Sequence, residues 1–328
     1  MATDRFGRTI DYLRISIIDH CNFRCVYCMP MRGLSFVPSH ELLTAGELEN
    51  VVRAAVRVGF KKFRLTGGEP TLRADLVEIV HRIRQISGVT DLAMTTNGVL
   101  LPGLAGPLCD AGLTRINIHI DSLHPERLKR VRRFGTLESI WAGLEAAEGA
   151  GLRPIKLNAV VVRDYNHEDV VDLARLTLDR DWHVRFIELM PLGGGECARL
   201  SLTQYVPNPE SRTRIEDILG PLDELTDHLP SDESRNYRLR GAQGVVGFIS
   251  PVSEPYCDSC NRMRLTSDGK LHLCLLNDDE IDLKPALRNG GGDTLEDLLL
   301  KAVALKPTGH RLDEGISTQR RSMFQIGG

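Results

Sequence analysis

Six cysteines in two groups of three carry the most pointed chemistry in this sequence. Cys21, Cys25 and Cys28 follow a C-x3-C-x2-C spacing, and Cys257, Cys260 and Cys274 follow C-x2-C-x13-C. Thiolates are soft ligands that select iron–sulfur clusters or zinc. Three of them on one short loop hold three corners of a cubane cluster and leave the fourth iron open for a ligand that reacts. Structural zinc is the alternative, with His20, His40 or His272 completing a tetrahedron, and for the second group viewed alone both readings stay open. Cys109 and Cys197 stand apart and read as buried free thiols.

The surrounding composition narrows the setting. The chain has 328 residues, eight cysteines, and 41 basic against 44 acidic residues for a formal net charge of −3. That balance excludes a broad nucleic-acid or anionic-membrane surface, so any anion site must be local. The start MATDRFGRTIDYLRIS has no apolar stretch of signal-peptide length, and no apolar run long enough to span a bilayer occurs, so neither nucleic acid nor membrane is an expected partner and a cytoplasmic location is expected. Cysteines in a reducing compartment favour metal ligation over a disulfide framework.

The elements that must position these groups alternate. LRISIIDH (13–20), FRLTGG (63–68), DLAMTTNG (91–98), RINIHID (115–121), PIKLNAVVV (154–162) and HVRFIELMP (183–191) read as strands. Between them lie amphipathic patterns such as Leu48, Val51, Val52, Ala55 and Leu76, Ile79, Val80, Ile83. Thr44 with Glu47 forms a capping box for the first helix, and Gly59 stops it. Repeated βα units imply a parallel sheet covered by helices. The fold class is therefore α/β, a partial (β/α)6 TIM-like barrel over residues 1–200. Chemistry is expected at the strand carboxyl ends, where Asp19–His20–Cys21, Thr66–Gly67–Gly68–Glu69, Thr95–Thr96–Asn97–Gly98, Asp121–Ser122 and Glu188–Leu189–Met190 form one rim. After about residue 192 the Gly- and Pro-rich stretch GGGECARLSLTQYVPNPESRTRIED reads as a crossing segment or irregular loop. Residues 201–328 read as a smaller α+β domain, with a helical pattern near 214–227, strands in YRLR, GVVGFIS, MRLT and KLHLCL, a helix near 293–304, and MFQIGG as a flexible tail.

Two motifs together resemble the radical S-adenosylmethionine (SAM) superfamily: Cys21 with NFRCVYCMP, and RLTGGEP (64–70) at the end of the second strand. CDSCNRMRLTSDGKLHLCL (257–275) resembles the auxiliary-cluster motif of the MoaA family, which begins molybdenum cofactor biosynthesis, and Gly327–Gly328 matches that family's invaginating tail. The similarity runs from about residue 5 to the end and is weakest between about 193 and 240. It implies two [4Fe-4S] clusters, held by Cys21, Cys25 and Cys28 and by Cys257, Cys260 and Cys274. SAM on the first cluster yields a 5'-deoxyadenosyl radical, which takes the 3'-hydrogen of GTP so that C3' closes onto C8 of guanine. The second cluster leaves an iron open to the base.

By the same resemblance Tyr27, Gly68, His119 and Met190 meet SAM, and Arg14, Arg64, Thr95, Lys156, Arg262, Met263 and Arg264 meet GTP, with Arg14, Arg262 and Arg264 also catalytic. No GxxxxGK[ST] loop is present, so the phosphates need clustered Arg and Lys instead. Arg262 and Arg264 are two apart and share a face of an extended segment, whereas the direction of Arg14 is undecided. Two positions depart from the family: His119 stands where a Ser is usual and His20 where an Arg is common. His119, donor and acceptor when neutral, still suits a SAM contact; a packed core histidine is the alternative. The resemblance further implies a homodimer, an external one-electron reductant and a downstream cyclic pyranopterin synthase. The rivals are a peptide-modifying radical SAM enzyme with one auxiliary cluster and a zinc-stabilised module without catalysis.

Overall fold

The structure is a computed structural model that describes residues 2–226, 231–288 and 293–327. Among them twelve strands form one sheet: β1 (Tyr12–Ser16), β2 (Lys62–Thr66), β3 (Asp91–Thr96), β4 (Arg115–His119), β5 (Ile155–Val161), β6 (His183–Glu188), β7 (Leu222–Glu224), β8 (Arg235–Leu239), β9 (Val245–Ile249), β10 (Arg262–Leu265), β11 (Lys270–His272) and β12 (Glu280–Asp282). The order is β12-β11-β10-β1-β2-β3-β4-β5-β6-β9-β8-β7. Strands β1 to β6 run parallel in sequence order, which is the partial barrel the βα alternation implies. The curved sheet is extended at both ends by strands from beyond residue 200: β10 adds in parallel to β1 and β9 in parallel to β6.

Helices cover the outside because their apolar faces need burial. Helix Ala45–Val58 starts with the predicted capping box of Thr44 and Glu47 and stops at Gly59, whose φ of 116° suits a residue without a Cβ. Its Leu48, Val51, Val52 and Ala55 are fully buried, at about 1.5–3 kcal/mol for each of the larger side chains. Helix Leu76–Arg84 buries Leu76, Ile79, Val80 and Ile83 in the same way. Among the described residues no helix is long and apolar enough to cross a membrane.

Three expectations need correction. The stretch after residue 192 is not a loop but two helices, Gly195–Gln204 and Asn208–Leu219. Its prolines misled because Pro207 and Pro209 sit at the N-cap and in the first turn of the second helix, where no helical N–H is needed. The helix expected through 227 ends at Gly220, φ 93°, and Leu222–Glu224 pairs with β8 as a strand. The tail MFQIGG contains the helical turn Met323–Ile326, opened by a Ser322–Gln325 capping box, with Phe324 and Ile326 buried.

Candidate active site

The first cysteine loop leaves β1 and is pinned to the end of helix Pro125–Arg132. Arg24 N–H donates to the Arg132 carbonyl (3.1 Å) and Val26 N–H to the Val131 carbonyl (2.9 Å). The Cys28 and Met29 amides both turn onto the Cys25 carbonyl at 3.0 Å. Across the gap, Gly68 N–H donates to the Ile18 carbonyl and Glu69 N–H to the His20 carbonyl, each at 2.7 Å. A Cβ on Gly68 would lie 2.3 Å from the His20 oxygen and 2.6 Å from that of Asp19. That close approach is why the turn needs glycine. Glu69, buried, accepts from Thr71 N–H (3.0 Å), Thr96 Oγ1 (2.6 Å) and Asn97 N–H (2.7 Å), tying the ends of β2 and β3 together.

Beneath the loop lies a polar knot. Arg132 Nε donates to Asp121 Oδ2 at 2.9 Å and the Tyr27 hydroxyl donates to the same oxygen at 3.0 Å. His119 Nε2 lies 2.7 Å from the Tyr27 oxygen and 3.1 Å from Asp121 Oδ1. Burial alone would raise the Asp121 carboxyl, but His119 and Arg132 hold it below the usual carboxylate range. His119 thus lines the cavity while anchored to Asp121, a role its sequence position did not disclose.

Three cavities share lining residues. The first, about 190 Å³, brings together Cys21, Cys25, Cys28, Tyr27, Gly68, His119, Met190, Arg14, Thr95 and Arg264. The second, about 90 Å³, is bordered by Cys257, Cys260, Cys274, Arg262, Met263, Arg264 and again Met190. The third, about 160 Å³, is lined by Lys62, Arg64, Arg115, Lys156, Arg185 and Arg262 against Asp91, Asp232 and Glu233. Every residue expected to meet metal, SAM or GTP therefore borders one of three adjoining spaces. Parallel register explains the convergence: Arg14 lies level with Arg264 on β10 and with Arg64 on β2, so three guanidinium side chains start from neighbouring strands at one height. This settles the direction of Arg14, which is buried beside Glu233 at 3.8 Å. Met263, between the two β10 arginines, belongs to the packed core.

These cations are uncomfortable in the free protein. Burial, with neighbouring guanidinium groups, pushes Lys156 down to about 7, Arg264 to about 9 and Arg185 to about 10. Arg14 Nε and Arg262 Nη2 are buried without a hydrogen-bond partner among the described residues. A polyanion relieves both conditions.

The two thiol groups differ electrostatically. Burial pushes Cys21 up to about 11 and Cys25 to about 12. Burial also acts on Cys257 and Cys260, but a hydrogen bond with His310 and the charges of Lys306 and Arg262 outweigh it and lower both. All six thiols are free and border a cavity; among the described residues no three such side chains are placed to hold a single metal ion, so the donor set suits a wider thiolate-held cluster and not one zinc. Of the histidines considered as zinc ligands, His272 alone lines the second cavity with its three cysteines, and its Nε2 lies 3.5 Å from Glu280. His272 Nδ1 donates to the Cys274 carbonyl at 3.1 Å, His20 pairs with Asp19 at 2.9 Å, and His40 is exposed beside Glu41. Gly327, φ 88°, lies against Ser16 and Thr66 of the barrel, and its carbonyl accepts from Arg264; Gly328 lies outside the described residues.

Residues 15–177 match the radical SAM superfamily profile, and residues 182–312 match that of Molybdenum Cofactor Synthesis C. A protein of Pelotomaculum thermopropionicum named GTP 3',8-cyclase is 47% identical over 326 residues, covering 99% of both chains. The chain belongs to the GTP 3',8-cyclase family. A second member of this GTP 3',8-cyclase family, from Moorella thermoacetica, is 44% identical over 99% of both chains. Among solved structures, Streptococcus suis SuiB bound to its precursor peptide aligns with a TM-score of 0.62 at 14% identity, covering 92% of this chain and 66% of that one. Native anSMEcpe with bound AdoMet aligns at 0.56 and 16%, covering 92% and 82%. These two share the fold. Membership of the radical SAM superfamily carries with it a [4Fe-4S] cluster and SAM, and the GTP 3',8-cyclase family places the chain in molybdenum cofactor biosynthesis.

Sequence reasoning missed Arg132, Arg185 and Glu233. Arg132 ends a helix with the look of a solvated basic face, and Glu233 lies where the resemblance is weakest. Arg185 was detectable: a charge inside the apolar run HVRFIE (183–188) faces inward on a barrel strand.

Proposed function

We propose that the protein converts GTP to (8S)-3',8-cyclo-7,8-dihydroguanosine 5'-triphosphate, the first step of molybdenum cofactor biosynthesis. The observation that carries this reading is the pairing of β10 with β1: it joins the strand that follows Cys260 to the strand that precedes Cys21, so two three-thiol sites open onto adjoining cavities.

Cys21, Cys25 and Cys28 would hold the first [4Fe-4S] cluster, whose chemistry when bound is one-electron cleavage of SAM to methionine and a 5'-deoxyadenosyl radical. Tyr27, Gly68, His119 and Met190 orient SAM in the first cavity. Cys257, Cys260 and Cys274 would hold a second [4Fe-4S] cluster facing the guanine ring. Arg14, Arg64, Lys156 and Arg262 bind the triphosphate, with Thr95 and Arg264 placing the ribose between the two sites. Met263 backs Arg262 and Arg264 from the core. Burial of these groups excludes water from the reacting carbon. A homodimer, an external one-electron reductant, a downstream cyclic pyranopterin synthase and a cytoplasmic location complete the reading. Residues 1–200 would form the SAM barrel, and residues 201–328 the auxiliary-cluster and substrate domain with its Gly-Gly tail.

The test is anaerobic incubation of the reconstituted protein with GTP, SAM and a reductant. 5'-Deoxyadenosine should appear together with the cyclised nucleotide; 5'-deoxyadenosine without GTP consumption refutes the assignment. Iron analysis should return about eight irons with matching sulfide.

A further inference from the structure

Among the described residues, Glu233 is the one carboxylate that borders all three cavities. It stands 3.8 Å from Arg14, 3.6 Å from Arg185 and 3.5 Å from Arg262. All three separations are long for a fitted pair: the carboxylate is shared among three guanidinium groups instead of being forked by one. Two oxygens cannot satisfy three such groups with five N–H donors each. Among the described residues Arg14 Nε and Arg262 Nη2 accordingly keep no hydrogen-bond partner. One carboxylate against three guanidinium groups leaves both charge and hydrogen bonding unsatisfied.

A polyphosphate brings more charge and many more acceptor oxygens to the same donors. It cannot share the space with Glu233, because two anions in contact within a buried site repel strongly. We infer that Glu233 is a resident counter-ion of the phosphate subsite and a specificity-determining residue, which the substrate's polyphosphate must displace. Small anions meet the same barrier without the base and ribose contacts that offset it, so Glu233 keeps inorganic phosphates out of the arginine cluster. The inference takes its ligand from the reading of the cavity as a GTP site, while the displacement itself rests on where Glu233 stands.

Displacement lowers the apparent affinity of every phosphate ligand by one common factor, the fraction of molecules with Glu233 withdrawn. The test is anaerobic calorimetry on the full, cluster-loaded protein and its Glu233→Gln variant, titrated with inorganic tripolyphosphate, GTP and guanosine. In the variant, tripolyphosphate and GTP should each bind at least about tenfold more tightly, and guanosine should be unchanged. Unchanged or weaker tripolyphosphate binding overturns the inference. So does weaker GTP binding with tripolyphosphate unchanged, which would make Glu233 a reader of the base. The tripolyphosphate comparison also separates the two proposals: if the wild type binds tripolyphosphate but not GTP, the functional assignment fails while the variant still decides the role of Glu233. Hydrogen exchange on the wild type covers a variant that does not fold. Peptides spanning 231–236 should exchange faster with tripolyphosphate present, and unchanged or slower exchange overturns the displacement.

Discussion

Replacing Gly68 by alanine adds one methyl group at the turn after β2, where two backbone carbonyls already occupy its place. The new Cβ would stand 2.3 Å from the His20 oxygen, against an ordinary contact of 3.4 Å, so the strands must part by about 1.1 Å (3.4 − 2.3). Neither atom belongs to a flexible side chain, and relief must come from the main chain. Overpacking of this kind costs about 1–3 kcal/mol. Separation also stretches the two 2.7 Å bonds from Gly68 and Glu69 to the β1 loop, at about 0.5–1.5 kcal/mol each. The sum, about 2–6 kcal/mol, is a large part of a typical folding free energy of about 5–15 kcal/mol. Urea unfolding of Gly68→Ala should show that loss, and iron content should fall because His20 precedes Cys21. Gly103→Ala is the control: nothing lies within 4 Å of its Cβ and it sits inside helix Leu101–Asp110, away from the position before Pro107, so it should gain about 0.5–1 kcal/mol. A Gly68→Ala protein within about 0.5 kcal/mol of wild type and fully loaded with iron refutes the reasoning.

Arg132→Met removes the partner of fully buried Asp121 and should cost about 3–5 kcal/mol; a loss below about 1 kcal/mol in urea unfolding would show that His119 and Tyr27 suffice. Lys156, pushed down to about 7 by burial and neighbouring guanidinium groups, is mostly neutral at pH 8 and is protonated by a bound polyanion. Polyphosphate binding should therefore take up a proton and weaken as pH rises above 7. Calorimetry in buffers of different ionisation enthalpy checks this, and Lys156→Met should abolish the Lys156 share of the uptake. Gly327→Ala forces an alanine into positive φ against Thr66, a strain of about 1–2 kcal/mol. Turnover should fall by about tenfold with iron content unchanged; unaltered turnover would remove the tail from the reaction.

Much of this was legible in the residues. Local periodicity disclosed β1 to β6, the helices between them and the Thr44–Glu47 cap, because those signals depend on neighbours in the chain. The thiol groups were singled out by their spacing, and the basic residues of β1, β2, β5 and β10 by family resemblance; the structure sets both around adjoining cavities. Illegible was whatever depends on pairing across long separations. Nothing near Arg14 says that it lies level with Arg264, and nothing near His119 says that Asp121, Tyr27 and Arg132 share one knot. Residues 193–217 misled because glycine and proline mark loops on average, yet here they sit at helix starts.

The parallel pairing of β1 with β10 has a consequence for how the molecule is made. Ser16 leaves the ribosome long before Arg262, the first residue of the strand that covers β1; at about 5–20 residues per second the interval is roughly 12–50 s. Throughout it, the nascent barrel exposes a bare strand edge beside the loop of Cys21, Cys25 and Cys28, the arrangement most prone to misassembly and aggregation. Iron delivered during that interval would reach these thiols before the last quarter of the chain roofs them over, so the order of translation itself favours loading the first thiol group before the second.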